Sequence, residues 1–410
     1  MERWRGDGRM RDAVGAPAGA REPCAPVSAR LWIPAMAPPL PQRADVVVVG
    51  AGFAGLATAA SLVELGVRRV VVLEAEPIPG KHGSGRNAAM ARRLIEDDVL
   101  SRLAVRSVAR MGELGNGTPL VRRVGGLLVG EGDALDALAR IAAAVPELAA
   151  EVERLDADAV RALVPALAGA DLAGGILTPG CGVTDIHALL GAFADRARAG
   201  GATTFLRTPL TGIRVAGGRV VAAETPHGVI ATEQLVNAAG FAANPVAAFA
   251  GLAPLPLVPT RRHLFVTAPW GGLDRAAPFV WNVSAGYYFR PEGTGLLLCA
   301  CDGTAWPPED PPTDPGAREA LAAKFDAAVP GLREVRPTRG WAGLRVMTPD
   351  HRFVIGADPR LTGFFWVAGL GGHGMTTSAG VGEIAARGLV DGAVPAPFGA
   401  AFAPDRFTTV

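Results

Sequence analysis

Net charge, paired cysteines and uninterrupted apolar length are all scarce in this 410-residue sequence. Forty basic against thirty-nine acidic side chains leave a formal charge of +1, so no global field gathers polyanions and nucleic acid is excluded as a partner class. The four cysteines (Cys24, Cys181, Cys299, Cys301) form no C-x-x-C pair and no zinc-like spacing with histidine. They read as buried or incidental thiols of a reducing cytoplasm, and no metal site is expected. The most apolar stretch, VVVVGAGFAGLATAASLV, spans Val46 to Val63 between Asp45 and Glu64. It approaches the ~20 residues of a membrane span, but its glycines divide it, and no transmembrane segment is read.

What is present is globular. Apolar residues make up 49% and charged residues 19%, against ~45–50% and ~25% in ordinary soluble proteins, which excludes chain-wide disorder. The length suggests two or three modules of ~100–200 residues. Residues 1–43 stand apart: rich in Arg, Ala, Gly and Pro and without periodicity, they are expected to form a disordered extension. Pro34, Pro38, Pro39 and Pro41 interrupt the only stretch resembling a secretory h-region. Met36, ten residues ahead of Val46, is the expected natural start.

Val46 to Val49 is a β-branched run suited to a buried parallel strand. Gly50-Ala51-Gly52-Phe53-Ala54-Gly55 is G-x-G-x-x-G, the following LATAASLVELG predicts a helix ending near Gly66, and Val70 to Leu73 predicts a second strand ending in Glu74. That order is the dinucleotide fingerprint. Gly50 allows the tight turn, Gly52 lets the backbone approach a pyrophosphate, and Gly55 brings helix and strand together. The helix N-terminus offers amides to phosphate, and Glu74 is placed to accept ribose hydroxyls, which disfavours NADP. The fingerprint alone does not choose between NAD and FAD.

After Glu74 a Gly/Ser loop (Gly80, Gly83, Ser84, Gly85) precedes a helix expected from about Asn87. The pattern E-x-x-x-x-P-G-x-x-x-S-G-R-N-A-A resembles the flavin loop of the D-amino-acid oxidase-like superfamily. Four further marks resemble segments of that superfamily: Val236 to Gly240 (VNAAG), Tyr287 to Pro291 (YYFRP), Trp341 to Arg345 (WAGLR) and Gly369 to Thr376 (GLGGHGMT). Within it, PGKHGSGRNAA, Pro259-Thr260-Arg261-Arg262, WAGLR and GFFWVAGLGGHGMTTSAGVGE are similar to the D-arginine dehydrogenases.

The resemblance implies an α/β fold, with a discontinuous Rossmann-type FAD-binding domain at 44–120, 178–250 and 341–410. An inserted, mainly antiparallel α+β substrate domain would occupy 121–177 and 251–340. It implies non-covalent FAD and carries cofactor positions onto Gly50, Gly52, Ala54, Gly55, Glu74, Ala75, Gly83, Ser84, Gly85, Arg86, Asn87, Ala88, Leu210, Gly240, Gly371, Gly372, Gly374, Met375 and Thr376. Family members oxidise amines, commonly amino acids, by hydride transfer to flavin N5, giving an imine that water hydrolyses. The protein must then orient the substrate and hold its carboxylate.

For the carboxylate, a planar guanidinium is the natural clamp. The resemblance carries that role onto Arg345, with the alternative of a solvated arginine beside Asp350. It adds Tyr288, one of only two tyrosines in the chain, while Tyr287 should face the other way by strand alternation. Arg262 is a second expected cation, although the match falls equally on Arg261. A helix from about Thr376 would direct its N-terminus at the flavin pyrimidine. His373, expected to titrate near neutrality, either meets substrate or caps the turn. His82 reads as structural, and no general base is nominated.

Where D-arginine dehydrogenases place a His and a Tyr, this chain has Met90 and Ile95, a polar position has become Thr376, and GELGNGTPLVRR offers no carboxylate matching the one that serves the guanidinium side chain. A neutral D-amino acid, glycine, sarcosine or another N-methyl amino acid is therefore the expected substrate, with oxygen or a quinone-type carrier as acceptor. Oxidation of a 2-hydroxy acid and service as the flavoprotein subunit of a hetero-oligomer are the alternatives.

Overall fold

The computed structural model describes residues 39–408, apart from 116 and 273. The expectations for residues 1–38, including the Met36 start and Cys24, lie outside the described residues. Ordered pairing begins before residue 44: the Ala231 amide donates to the Gln42 carbonyl at 2.9 Å, and Arg43 bridges Ala231.

Two sheets organise the chain. The first has the order Val354–Ala357, Phe364–Ala368, Leu235–Asn237, Val46–Val49, Val70–Leu73, Thr203–Phe205. All neighbours are parallel except the first pair. The valine run works because both faces are covered. Val46 and Val48 pack with helices Phe53–Glu64, Asp98–Leu114 and Ser378–Val390, while Val47 and Val49 pack on the other side with Ile213, Val220 and Ile230 of a small three-stranded sheet. Each fully buried valine contributes roughly 1.5–3 kcal/mol.

The expected helix over Phe53–Glu64 is present. It meets Ser378–Val390 closely because Gly382 lies against Ala57, where a Cβ would stand 2.4 Å from the Ala57 backbone. No described helix is long and apolar enough to cross a membrane.

The second sheet has nine strands. Its path runs Thr304–Ala305, Val258–Thr267, Gly295–Cys299, Tyr287–Glu292, Phe279–Asn282, Gly126–Gly130, Gly174–Thr178, Glu153–Asp156, with Pro337–Met347 paired along Val258–Thr267. It is antiparallel except where Phe279–Asn282 meets Gly126–Gly130. The strand Pro337–Met347 is continuous, so a division of the chain at 341 falls within it.

One expected element is corrected. No helix starts at Asn87; the chain makes a short strand at Met90–Ala91, and the helix begins at Asp98. Asn87 folds its side chain onto the backbone, donating to the Ser84 carbonyl at 2.7 Å and accepting from the Ala89 amide at 2.7 Å. Ala89 is left-handed at φ 59°. Such local side-chain bonds compete with helix formation, and Asp97 supplies the cap by accepting from Leu100 N at 2.9 Å.

Candidate active site

At the carboxyl end of the central strand Val46–Val49 the fingerprint forms a tight turn. Gly50 has φ 104°, and a Cβ there would lie 2.6 Å from the Ala238 carbonyl oxygen. At Gly55 a Cβ would fall 1.8 Å from the Gly50 oxygen. Glu74 ties the turn to the neighbouring strand: its carboxylate accepts from Ala51 N at 2.7 Å and from Glu76 N at 2.9 Å. Ser84, from the Gly/Ser loop, accepts the first amide of the helix, Phe53 N, at 3.0 Å. The two cofactor motifs are thus hydrogen-bonded to each other.

The Gly/Ser loop then lies on the nine-stranded sheet. Gly343 makes room, since a Cβ would meet Arg86 Cβ and the Arg86 carbonyl at 3.2 Å. Trp341 Nε1 donates to that carbonyl at 3.4 Å. Arg86 pairs with Asp310, and His82 Nε2 sits 2.9 Å from Glu76.

Register fixes the other wall. Thr260 pairs with Arg345, Arg262 with Gly343 and Leu264 with Trp341. On a pleated surface these residues share one face. Tyr288 pairs with Trp281 on one side and Cys299 on the other, its ring 4.8 Å from that of Trp281. Arg262 is anchored by the carbonyls of Asp302 at 2.8 Å and Cys301 at 2.7 Å. Arg261 points away, to Asp314 at 2.6 Å and over Trp306 at 4.2 Å. Of the two arginines, Arg262 is the one that lines the cavity. Tyr287 lies on the opposite face, packed on Phe325.

Arg345 is not a solvated partner of Asp350, whose carboxylate takes Arg406 at 2.8 Å. Arg345 Nε is buried with no hydrogen-bond partner, and among the described residues no carboxylate pairs with Arg345 or Arg262. Burial, with the Arg262 charge beside it, brings the Arg345 guanidinium down to about 10.

The Gly369–Thr376 segment closes the site as a turn ahead of helix Ser378–Val390. Gly369 and Gly371 are left-handed at φ 66° and 52°, and a Cβ on Gly372 would lie 3.4 Å from Arg345 Nη1. Thr376 Oγ1 donates to the Met90 carbonyl at 2.9 Å, joining this turn to the segment after the flavin loop. His373 does not titrate near neutrality. Burial, reinforced by the charge of Arg92 and then of Arg345 and Arg262, outweighs the opposing field of Glu96 and holds it at about 4.

One cavity of about 480 Å³ gathers these parts. Its lining includes Arg345, Tyr288, Arg262 and His373 together with Gly50, Gly52, Ala54, Glu74, Ala75, Gly83, Ser84, Arg86, Asn87, Ala88, Leu210, Gly240, Gly371, Gly372, Gly374, Met375 and Thr376. Gly55 and Gly85 are not in the lining; both are packing positions, Gly85 because a Cβ would meet the Gly80 oxygen at 2.6 Å. Met90 lines the cavity, whereas Ile95 belongs to the core.

Sequence reasoning missed Arg92 and Trp281. Arg92 is 2% exposed, lies 4.5 Å above the Trp281 ring, donates Nε to the Leu94 carbonyl at 2.7 Å and brings Nη2 within 2.7 Å of Glu96. Reading 87–95 as extended rather than helical would have turned Met90 and Arg92 to one face, where both line the cavity.

The lining fits FAD. The fingerprint turn and Gly/Ser loop line the same cavity as Arg345, Arg262, Tyr288 and the 371–376 turn, and Gly240, left-handed at φ 59°, leaves open space where a Cβ would stand. Among the described residues no cluster of His, Cys, Asp or Glu could hold a metal ion.

The chain is 28% identical over 374 residues to mitochondrial sarcosine dehydrogenase of Homo sapiens, covering 86% of this chain and 40% of that protein. The chain thus spans less than half the length of that relative. It is 30% identical over 389 residues to sarcosine oxidase subunit beta of Rhizobium meliloti (strain 1021), covering 92% of each. In fold it superposes on L-proline dehydrogenase from P. horikoshii with a TM-score of 0.79 and 23% identity, over 90% of this chain and 99% of that one. The model of the DAO family, FAD dependent oxidoreductase, matches residues 45–387, and the chain belongs to that family.

Proposed function

We propose that this chain oxidises a small neutral amino acid, namely glycine, a D-amino acid or an N-methyl amino acid such as sarcosine, to an imine that water hydrolyses to the 2-oxo acid and the amine or ammonia. The observation that carries this reading is the pair of guanidiniums, Arg345 and Arg262, on the cavity wall with no ion-paired carboxylate among the described residues. A buried cation left unpaired costs several kcal/mol, and a substrate carboxylate relieves it. Tyr288 completes the clamp.

FAD, held by the fingerprint turn, Glu74 and the Ser84 loop, supplies the hydride acceptor for the carbon bearing nitrogen. The chain's own residues do the rest. Arg345, anchored Arg262 and Tyr288 fix the carboxylate, and through it the orientation of the α-carbon. His373, kept neutral, stands beside the clamp without repelling the substrate amine. Trp281 and Met90 line the cavity with surface suited to small apolar groups. No carboxylate in the lining near the clamp serves a cationic side chain, which supports a neutral one.

The division into flavin segments (44–120, 178–250, 341–410) and substrate segments (121–177, 251–340) and a cytoplasmic location belong to the same proposal. A second reading, that the chain is the flavoprotein subunit of a hetero-oligomer, is favoured by the match across 92% of a protein named as a subunit.

The test is anaerobic bleaching of the yellow holoprotein with glycine, sarcosine, D-alanine, D-arginine and lactate. Bleaching by a neutral amino acid and not by D-arginine is expected. Bleaching by lactate alone would replace the amine reading with hydroxy-acid oxidation, and a colourless protein that takes up no FAD would end both. Turnover of the purified chain with an artificial acceptor separates an autonomous enzyme from a dependent subunit.

A further inference from the structure

Strand Gly295–Cys299 ends by setting Cys299 opposite Tyr288, and the chain then turns so that Cys301 comes back against it. Cys299 is fully buried, while Cys301 is partly exposed. The two residues are in direct contact. Cys299 Sγ accepts the Cys301 amide at 3.3 Å.

Cys301 is held in a left-handed backbone at φ 51°, a region unfavourable to a non-glycine residue. Positive charge surrounds it. Lys324 donates to the carbonyls of Gly286 at 2.8 Å and Ala300 at 2.9 Å, and Arg262 donates to the carbonyl of Cys301 itself. The hydrogen bond from Cys299 outweighs burial and, with Arg262, Arg345 and Lys324, brings the Cys301 thiol to about 7. Burial instead pushes Cys181 up to about 11. An accessible thiol of thiolate character beside a second, buried thiol is the arrangement of a reactive and a resolving cysteine.

We propose that Cys301 and Cys299 form a peroxide-modified site whose closure to a disulfide loosens the carboxylate clamp. The Cys301 thiolate attacks one oxygen of hydrogen peroxide; the O–O bond breaks, hydroxide leaves and a sulfenic acid remains. Cys299 sulfur then attacks Cys301 sulfur, the S–O bond breaks, and the departing hydroxide takes the Cys299 proton as water. Two thiols are oxidised and one peroxide is reduced to two waters. A disulfide spanning a single residue is strained and therefore easily reduced, which suits a reversible modification.

The route to the clamp is short. Arg262 is anchored by the carbonyls of Cys301 and Asp302, and Tyr288 stands opposite Cys299 on the neighbouring strand. Closing the ring rotates the peptides at 300–302, whose carbonyls hold Arg262, and moves the cysteine opposite Tyr288. The FAD-binding turns are made of other residues and stay in place.

The effect on substrate rests on the amino-acid reading of the site; the thiol chemistry does not. Holoenzyme is exposed to hydrogen peroxide, alkylated under denaturing conditions and digested, and the peptide carrying 299–301 is weighed before and after dithiothreitol. Loss of two hydrogens from that peptide, reversed by dithiothreitol, is expected, with Cys181 still alkylated. KM for the amino acid should rise about tenfold, the effect of losing one hydrogen bond to a charged group, with FAD retained. Cys299→Ser should leave Cys301 as a sulfenic acid that dimedone traps. Oxidation of Cys181 with Cys301 spared, or a 299–301 disulfide with unchanged KM, would overturn the proposal. If no amino acid is a substrate at all, the peptide mass still decides the thiol chemistry.

Discussion

Arg345 and Arg262 occupy neighbouring antiparallel strands two residues apart in register, Arg345 opposite Thr260 and Arg262 opposite Gly343, so that both side chains emerge on one sheet face. Gly372 leaves room beside Arg345, where a Cβ would stand 3.4 Å from Nη1. Among the described residues no carboxylate forms an ion pair with either guanidinium.

Arg345→Met should lower kcat/KM for the amino acid by at least ~30-fold, corresponding to about 2–5 kcal/mol for one member of a buried charge pair. Arg261→Ala is the contrast. Its guanidinium serves Asp314 and Trp306 on the other face, so melting temperature should fall while steady-state constants stay near those of the parent. Near-normal kcat/KM in Arg345→Met would remove it from the clamp.

Gly50→Ala should abolish FAD binding. The new Cβ would stand 2.6 Å from a backbone oxygen at φ 104°, and both the contact and the backbone are unfavourable to an L side chain. Gly191→Ala, within helix Ile186–Ala199 and with nothing nearby, should instead raise stability by about 0.5–1 kcal/mol. Denaturant titrations and the flavin spectrum read both.

Replacing Glu74 by Gln keeps one acceptor where the carboxylate now receives both Ala51 N and Glu76 N. The bond from Ala51 N, which holds the fingerprint turn to Glu74, then competes with the one from Glu76 N, and the Kd for FAD should rise about tenfold. Fluorescence titration of apoprotein with FAD measures it; an unchanged Kd would mean that Glu74 is dispensable for holding the turn.

His373 gives a signed pH dependence. Its folded value, about 4, lies below the ordinary 6.5, so between these the unfolded chain binds the proton and the folded chain does not. The contribution is fully present above about pH 6.5 and is lost as pH falls toward 4, by up to about 3 kcal/mol. Urea unfolding across pH 4–7 should show that slope, and His373→Asn should flatten it.

The Val46–Val49 strand, its glycine turn, the helix and Glu74 were legible because their chemistry is local: β-branched residues, glycine at a tight turn and an acid at a strand end each carry their own signal. The helix expected from Asn87 failed for a local reason too. The side chain of Asn87 bonds its own backbone and Ala89 turns left-handed, which a count of helix formers does not register. Arg92 was lost with it.

The sequence by itself determined a dinucleotide turn and a second loop of flavin type, since glycine spacing and alternation depend only on neighbours along the chain. Three matters were decided by tertiary structure alone. Arg262 rather than Arg261 faces the cavity because strand register selects the face. His373 is neutral because three arginines from distant segments and burial act on it together. Cys299 and Cys301 acquire their character from Arg262, Lys324 and Tyr288, which approach from other strands and a helix. Each depends on fields and contacts between residues far apart in sequence, and these exist only once the two sheets have packed around the cavity.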